Sequence, residues 1–134
     1  MATYPDLDDD DRPIVFSYSR AEALLDGVLV DVSPTAREAG FRYPVAITHA
    51  VWALIESIPP NLRHVENVSG RLWDVLQMAL FAARCRPTAS ELHYSLTLHR
   101  VVESRPISSL ILKMVCGPGD NAEPVITIML PNED

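Results

Sequence analysis

The hydrophobic and polar positions of this chain follow two different periods, and the change falls at Glu91. Before that residue, apolar side chains recur at three- and four-residue spacing, which is typical of amphipathic helices. After it, apolar and polar side chains alternate, which is typical of strands with one buried face. The pattern therefore predicts a mostly helical first part and a β-rich second part.

Caps and prolines delimit four predicted helices. The first, SRAEALLDG, opens with a capping box of Ser19 and Glu22, and the second, SPTAREAG, has Ser33 at its cap. The third, PVAITHAVWALIESI, opens at Pro44, because its apolar residues repeat at helical spacing. The fourth, SGRLWDVLQMALFAARCRP, has Ser69 as its cap.

Three strands are predicted after the last helix, in ELHYSLTLHR, LILKMVC and VITIML. Because no helix separates them, they favour an antiparallel meander against which the four helices pack as a layer. Short β-prone runs over 14–18 and 28–32 are candidates for one or two additional N-terminal strands. We expect an α+β fold, with a single domain over 13–132 after an acidic, disordered tail over 1–12.

The segment CGPGDNAEP raises the question of a phosphate-binding loop. A phosphate-binding loop precedes the N-terminus of a helix and contains Lys with Ser or Thr. This segment instead precedes a strand, and it contains acidic residues that would repel phosphate. It predicts a hairpin turn in which the glycines supply positive φ and the prolines limit register slip. The predicted turn residues are Gly117, Pro118, Gly119 and Pro124. No cofactor or metal site is predicted, since the segment offers fewer oxygen donors than calcium takes.

The net charge of -7 is concentrated in the tails. The N-terminal twelve residues hold five aspartates and one arginine, and Glu133 and Asp134 close the chain. The near-neutral body lacks the basic stripe of a nucleic-acid-binding protein, so nucleic acid is an unlikely partner. The acidic run is either a solvated tail or a docking segment for a basic partner, formed by Asp8, Asp9, Asp10 and Asp11.

The cellular compartment is predicted from the lack of a membrane span and of a signal peptide in the sequence. No apolar run approaches the length of a membrane span, and the acidic N-terminus is unlike the basic start of a signal peptide. Cys85 and Cys116 form no CxxC pair, and we expect both thiols to be reduced. These observations predict a cytoplasmic protein without a membrane partner.

Two local patterns leave alternative functions open. Over 33–58, Ala36 and Gly40 lie four apart between two predicted helices, as in a helix-turn-helix, although the second helix offers no Arg or Lys for phosphates. This is the alternative of a DNA-binding regulator. Cys116 is a candidate nucleophile beside one of the four histidines, although no catalytic signature surrounds it. This is the alternative of a small cysteine-dependent enzyme.

Three blocks of the chain resemble those of a small bacterial family of unknown function, encoded largely on plasmids, integrative elements and phages. The blocks are YSRAEALLDGVLVDVSPTAREAGFRYPVAIT, SGRLWDVLQMA and VCGPGDNAEPVITIMLPNED. The resemblance implies a genetic setting and no catalytic residues.

In that setting our leading hypothesis is a non-enzymatic accessory protein that inhibits a host defence system by occupying a protein surface. We expect anti-CRISPR or antirestriction action, with a basic nuclease or nucleoprotein complex as the partner. Candidate contacts besides the acidic tail are the aromatic residues Tyr43, Trp52 and Trp73. Homodimerisation through an edge strand is also open.

Overall fold

The computed structural model describes residues 18–134. The predicted strand over 14–18 and the acidic tail lie wholly or almost wholly outside this range. The helices are α1 (Arg20–Asp26), α2 (Ser33–Ala39), α3 (His49–Glu56) and α4 (Val68–Cys85), with a 3-10 turn at Pro60–Leu62. The strands are β1 (Leu29–Asp31), β2 (Val45–Thr48), β3 (Glu91–Val102), β4 (Arg105–Pro118) and β5 (Pro124–Met129). The α+β class and the four helices agree with the sequence-based prediction.

The five strands form one mixed sheet in the order β1-β2-β5-β4-β3. All neighbours are antiparallel except β2 and β5, which run parallel with Val45 opposite Ile126. The C-terminal strands do pair antiparallel in chain order, but they are part of a larger sheet. The predicted separate three-stranded meander is therefore corrected to a five-stranded sheet that includes both halves of the chain.

The main correction concerns the segment predicted as the start of the third helix. Val45–Thr48 is strand β2, and helix α3 begins only at His49. Val45, Ala46 and Ile47 are all buried, as expected for a central strand covered on both faces. A short continuous apolar run is compatible with either a helix or a buried strand, and pairing with β1 and β5 decides between them here.

The segment 33–58 is consequently a helix, a strand and a helix. Gly40 ends α2 with φ of 122°, and a Cβ there would lie 3.0 Å from Leu80 Cδ2 on α4. Strand β2 follows, and Thr48 then caps α3 by accepting a hydrogen bond from the Val51 amide at 3.4 Å. The predicted helix-turn-helix arrangement is wrong, because its supposed second helix begins inside the sheet.

Helices α2, α3 and α4 contribute to a single core with the sheet. The predicted alternation of β3 is present, with buried side chains at Leu92, Tyr94, Leu96 and Leu98 and exposed ones between them. In α4 the buried stripe contains Leu72, Val75, Leu76 and Ala79, and Asn67 rather than Ser69 is the N-cap. The predicted capping box of Ser19 and Glu22 is present at α1, and Val32 rather than Ser33 precedes α2.

Truncation of a β2 side chain tests the corrected strand. Ile47 is 0% exposed, so Ile47→Ala removes buried methyl groups and leaves a cavity in the middle of the sheet. We expect the free energy of unfolding to fall by about 2–5 kcal/mol, measured by urea denaturation. Leu25→Ala on α1, where the side chain is 87% exposed, is the control and should change little. An equally small effect at Ile47 would contradict the central position of β2.

Candidate functional site

The glycine-proline segment forms the connection between β4 and β5. Gly119 donates its amide to the Glu123 carbonyl at 2.6 Å, and Ala122 donates to the Gly119 carbonyl at 3.0 Å. The expectation that Gly117 and Gly119 supply positive φ is wrong, since Ala122 has the positive φ of this turn, at 64°. A Cβ at Gly119 would lie 2.5 Å from Glu123 Oε2, so a larger residue there would require the Glu123 side chain to move.

The carboxylate of this turn holds helix α1. Asp120 Oδ1 accepts from the Arg20 amide at 2.8 Å, and Oδ2 accepts from the Ala21 amide at 2.9 Å. The Arg20 side chain donates in turn to Thr127 Oγ1 at 2.7 Å and to the Ile126 carbonyl at 2.8 Å. The β4–β5 connection therefore holds the start of helix α1 against β5. Both oxygen atoms of the Asp120 carboxylate accept hydrogen bonds from α1.

The predicted contact residues lie on separate elements. Tyr43, in the connection between α2 and β2, is 44% exposed. Trp52 on α3 is half-buried and packs against the core. Trp73 on α4 is 38% exposed and lines a cleft. The four aspartates at Asp8–Asp11 lie outside the described residues. Of the three aromatic candidates, only Trp73 lines this cleft.

The cleft at Trp73 is the first part of a groove between α4 and β3. It has a volume of about 780 Å³ and is joined by a second cleft of about 560 Å³, since Asp74 and Thr97 line both. We call this surface the α4–β3 groove; it is lined by residues of 65–78 and 95–99, with Thr35 and Glu38 in the first cleft and Ser108 and Ser109 in the second. Three carboxylates line it, from Glu38, Glu66 and Asp74.

One wall of the groove is the outer edge of β3. The Cys116 amide donates to the Ser90 carbonyl at 2.8 Å, so the even-numbered residues of β3 direct their backbone groups toward β4. As far as Thr97, after which the register of β3 shifts, the odd-numbered residues, including His93 and Ser95, direct theirs outward. Within residues 18–134, no strand pairs with this edge. Strand β3 thus presents a row of outward-facing backbone donors and acceptors over 91–97, whereas the His99 carbonyl accepts from Arg71.

At one end of the groove lies Arg71, a buried cation in the first turn of α4. Its side chain is 3% exposed, and its Nη2 donates to the His99 carbonyl at 2.7 Å. Its Nε is 3.9 Å from Glu66 Oε1, and neither Nε nor Nη1 has a hydrogen-bond partner among the described residues. Burial lowers the pKa of the Arg71 guanidinium, and the nearby Glu66 partly opposes that shift.

Sequence reasoning missed Arg71, although a signal was present. Arg71 precedes Val75 by four residues, so the helical period places it on the buried side of α4. A charged residue on a buried helical face needs a partner, and this requirement marks the position.

The two cysteines, one of which was a candidate nucleophile, do not line the groove. Cys116 is partly buried on β4 and packs against the core, whereas Cys85 is exposed at the end of α4. In the described part of the chain, no three His, Cys, Asp or Glu residues are grouped closely enough to hold a metal ion. None of the helices over 18–134 has the length and apolar character needed to cross a membrane.

Comparison with known proteins places the chain in a family. Residues 10–134 match the family described as "Family of unknown function (DUF6573)", and the chain belongs to that family. The searches of curated proteins and of solved structures found no significant similarity to this chain.

The role of Asp120 has a pH signature. Hydrogen bonds from the Ala21 and Arg20 amides hold the pKa of Asp120 below its ordinary value. A carboxylate with a lowered folded-state pKa contributes stability above its unfolded pKa of about 4, and the contribution is lost as pH falls through the folded value. We expect Asp120→Asn to lower the melting temperature at neutral pH, with the difference from wild type closing in acid.

Thermal unfolding followed by circular dichroism between neutral and acidic pH measures this difference. Glu56→Gln, at an exposed residue of α3, controls for the loss of one negative charge. A difference for Asp120→Asn that stays constant with pH, or that is absent at neutral pH, would show that Asp120 does not hold α1 as a charged cap.

Proposed function

We propose that this protein is non-enzymatic and acts by binding another protein through the α4–β3 groove. The observation that carries the proposal is the outer edge of β3, a strand of twelve residues, beside clefts that reach helix α4. An extended segment of a partner can add to such an edge, with backbone hydrogen bonds giving affinity and side-chain pockets giving specificity. The groove supplies pockets next to the edge.

The groove also supports an expectation about the partner's charge. Glu38, Glu66 and Asp74 line it, against the one cationic side chain of Arg71. A basic partner segment is favoured, because opposite charges steer association and suppress other partners. Trp73 offers a partly exposed aromatic side chain at the same surface, the residue type most often found to dominate binding energy.

The genetic setting implied by the sequence resemblance favours a partner in host defence. Nucleases and nucleoprotein complexes carry basic surfaces to bind phosphates, and an acidic protein groove is complementary to them. We infer an inhibitor of anti-CRISPR or antirestriction type, by analogy with small accessory proteins of mobile elements.

A proline on the free edge provides a sharp test. The Ser95 amide points away from β4, so Ser95→Pro should leave the sheet folded while removing an edge donor and blocking strand addition. We expect an unchanged melting temperature together with loss of protection of an incoming plasmid or phage, in cells that carry one defined restriction or CRISPR system. Ser95→Ala is the matched control and should protect as wild type does.

A second variant separates side-chain binding from strand addition. Trp73→Ala should weaken binding to the same purified nuclease about tenfold or more, equivalent to about 1.4 kcal/mol, by calorimetry. Leu25→Ala is the control, since it removes an exposed apolar side chain on α1. Absence of protection against every defence system tested, or retention of protection by Ser95→Pro, would refute the proposed mode. If Ser95→Pro only converts a dimer into a monomer, the edge serves self-association instead.

A further inference from the structure

Helix α4 carries an exposed stripe of side chains along the free edge of β3. Asp74, Met78 and Phe81 follow one another at spacings of four and three residues, so they lie on one side of the helix. All three are exposed, and Phe81 is 63% exposed although it is a large aromatic residue. Asp74 and Met78 line the second cleft together with 95–97. An acidic group followed by two apolar groups therefore borders the strand edge.

Helix α4 and strand β3 run in opposite directions along the groove. The cleft at the start of α4 is lined by 97–99, whereas the next cleft along the helix is lined by 95–97. Asp74 lines both clefts together with Thr97, so it marks that level of the strand. Phe81 is seven residues further along α4, or about 10 Å at about 1.5 Å per residue. The apolar end of the stripe consequently lies toward the start of β3.

A strand added to this edge would present alternate side chains to α4. The even-numbered side chains of β3 are buried on the face that α4 covers, and the Tyr94 hydroxyl donates to the Val75 carbonyl there at 3.1 Å. Residues directly opposite each other on paired strands have their side chains on the same face. The partner residues opposite Leu92, Tyr94 and Leu96 would therefore face α4. These three positions span about 13 Å at about 3.3 Å per residue, which is close to the length of the stripe.

The antiparallel direction is favoured for the added strand, because parallel pairing is slightly less stable per residue. An antiparallel strand reaches the level of Thr97 first and that of Glu91 last. Its first α4-facing side chain then lies beside Asp74, and the next two lie beside Met78 and Phe81. A basic side chain complements the charge at the first position. Apolar side chains at the other two positions remove the exposed apolar surface of the stripe from water.

We propose that the α4–β3 groove binds an extended segment that runs antiparallel to β3 and has the order basic-x-apolar-x-apolar. The basic residue is Arg or Lys and lies beside Asp74, the apolar residues lie beside Met78 and Phe81, and the residues marked x face away from α4. This inference rests on the proposed function, because it specifies the partner segment that adds to the β3 edge. It adds the direction of that segment and the order of its side chains.

Two peptides of identical composition test the order of side chains. The probe is Ser-Arg-Thr-Val-Thr-Leu-Thr with both ends blocked, and its control is the reversed sequence Thr-Leu-Thr-Val-Thr-Arg-Ser. Both carry the same charge, so attraction to the acidic chain as a whole acts on them alike. We expect the probe to bind the full chain at least about tenfold more tightly, by nuclear magnetic resonance titration of the isotope-labelled protein. Equal affinities, tighter binding of the reversed peptide, or no saturable shifts at millimolar peptide would overturn the proposal.

Charge reversal at Asp74 identifies the group that selects the basic residue. Asp74→Arg should weaken binding of the probe at least about tenfold, and it should strengthen binding of a second probe that has Glu in place of Arg, because the charges then attract across the groove. Glu56→Arg, at an exposed position of α3, makes the same change of charge on another element and should alter neither affinity. An unchanged preference for the Arg probe in Asp74→Arg would refute the assignment.

A coupled pair of changes tests the apolar end of the stripe. Phe81→Ser should leave the fold intact, because the side chain is exposed, and should weaken binding of the probe about tenfold. The same variant should have a much smaller effect on a probe that has Ala in place of Leu, since the contact is then already lost. Leu25→Ser on α1 removes another exposed apolar side chain and is the control. Equal effects of Phe81→Ser on both probes would contradict the predicted register.

Ser95→Pro separates this proposal from the proposed function. It should abolish binding of the probe, because it removes an outward amide of β3. If the two peptide orders bind equally while Ser95→Pro still loses protection in cells, strand addition stands and the sequence preference is overturned. If the probe is preferred but no defence system is inhibited, the peptide preference stands and the inhibitor function is refuted. A dimer that Ser95→Pro dissociates and the probe does not, by analytical ultracentrifugation, would assign the edge to a second copy and overturn the proposal.

Discussion

The parallel pairing of β2 with β5 is the constraint on which the rest of the structure depends. This pairing joins one short antiparallel pair of strands in the N-terminal part and three strands in the C-terminal part into a single sheet. The Ile126 amide donates to the Pro44 carbonyl at 2.9 Å at the start of this pairing. Because the two strands are far apart in sequence, their pairing carries a high loop-closure cost that burial must offset.

The end of the chain reinforces this junction. Thr48, at the end of β2, donates to Glu133 Oε1 at 2.8 Å, and Lys113 on β4 donates to the Glu133 carbonyl at 2.5 Å. Glu133, which lies beyond the end of β5, thus contacts both β2 and β4. Lys113 is itself buried, so the bond gives its ammonium group an acceptor that burial would otherwise deny it. The closing residues are consequently part of the fold and not an acidic appendage.

Local patterns were predictable where local forces decide the structure. The capping box of Ser19 and Glu22 and the alternation of β3 are each determined by neighbours in sequence, and both were read correctly. The run PVAIT was not, because its conformation depends on strands that come from distant parts of the chain. In the same way, the use of Asp120 as the cap of α1 joins residues about a hundred positions apart, which no spacing rule reveals.

The candidate site was least predictable for a related reason. Trp73 is predicted as an aromatic contact residue, and it does line the groove. The opposite wall of the groove is a strand edge, which can be recognised only when the order of strands in the sheet is known. Arg71 lies on the buried side of α4, and the prediction of this helix used only the apolar residues of that side.

Asp120 and Arg71 differ in how completely their charged groups are hydrogen-bonded. Asp120 has both carboxylate oxygens bonded to amides of α1, and this complete bonding makes the glycine-proline segment a structural joint. Arg71 is buried with two of its nitrogens unbonded by the described groups, and its other bonds are to the His99 carbonyl and, as an ion pair, to Glu66. The Asp120 carboxylate is thus used within the fold, so the surface proposed to bind a partner lies at α4 and not at the turn.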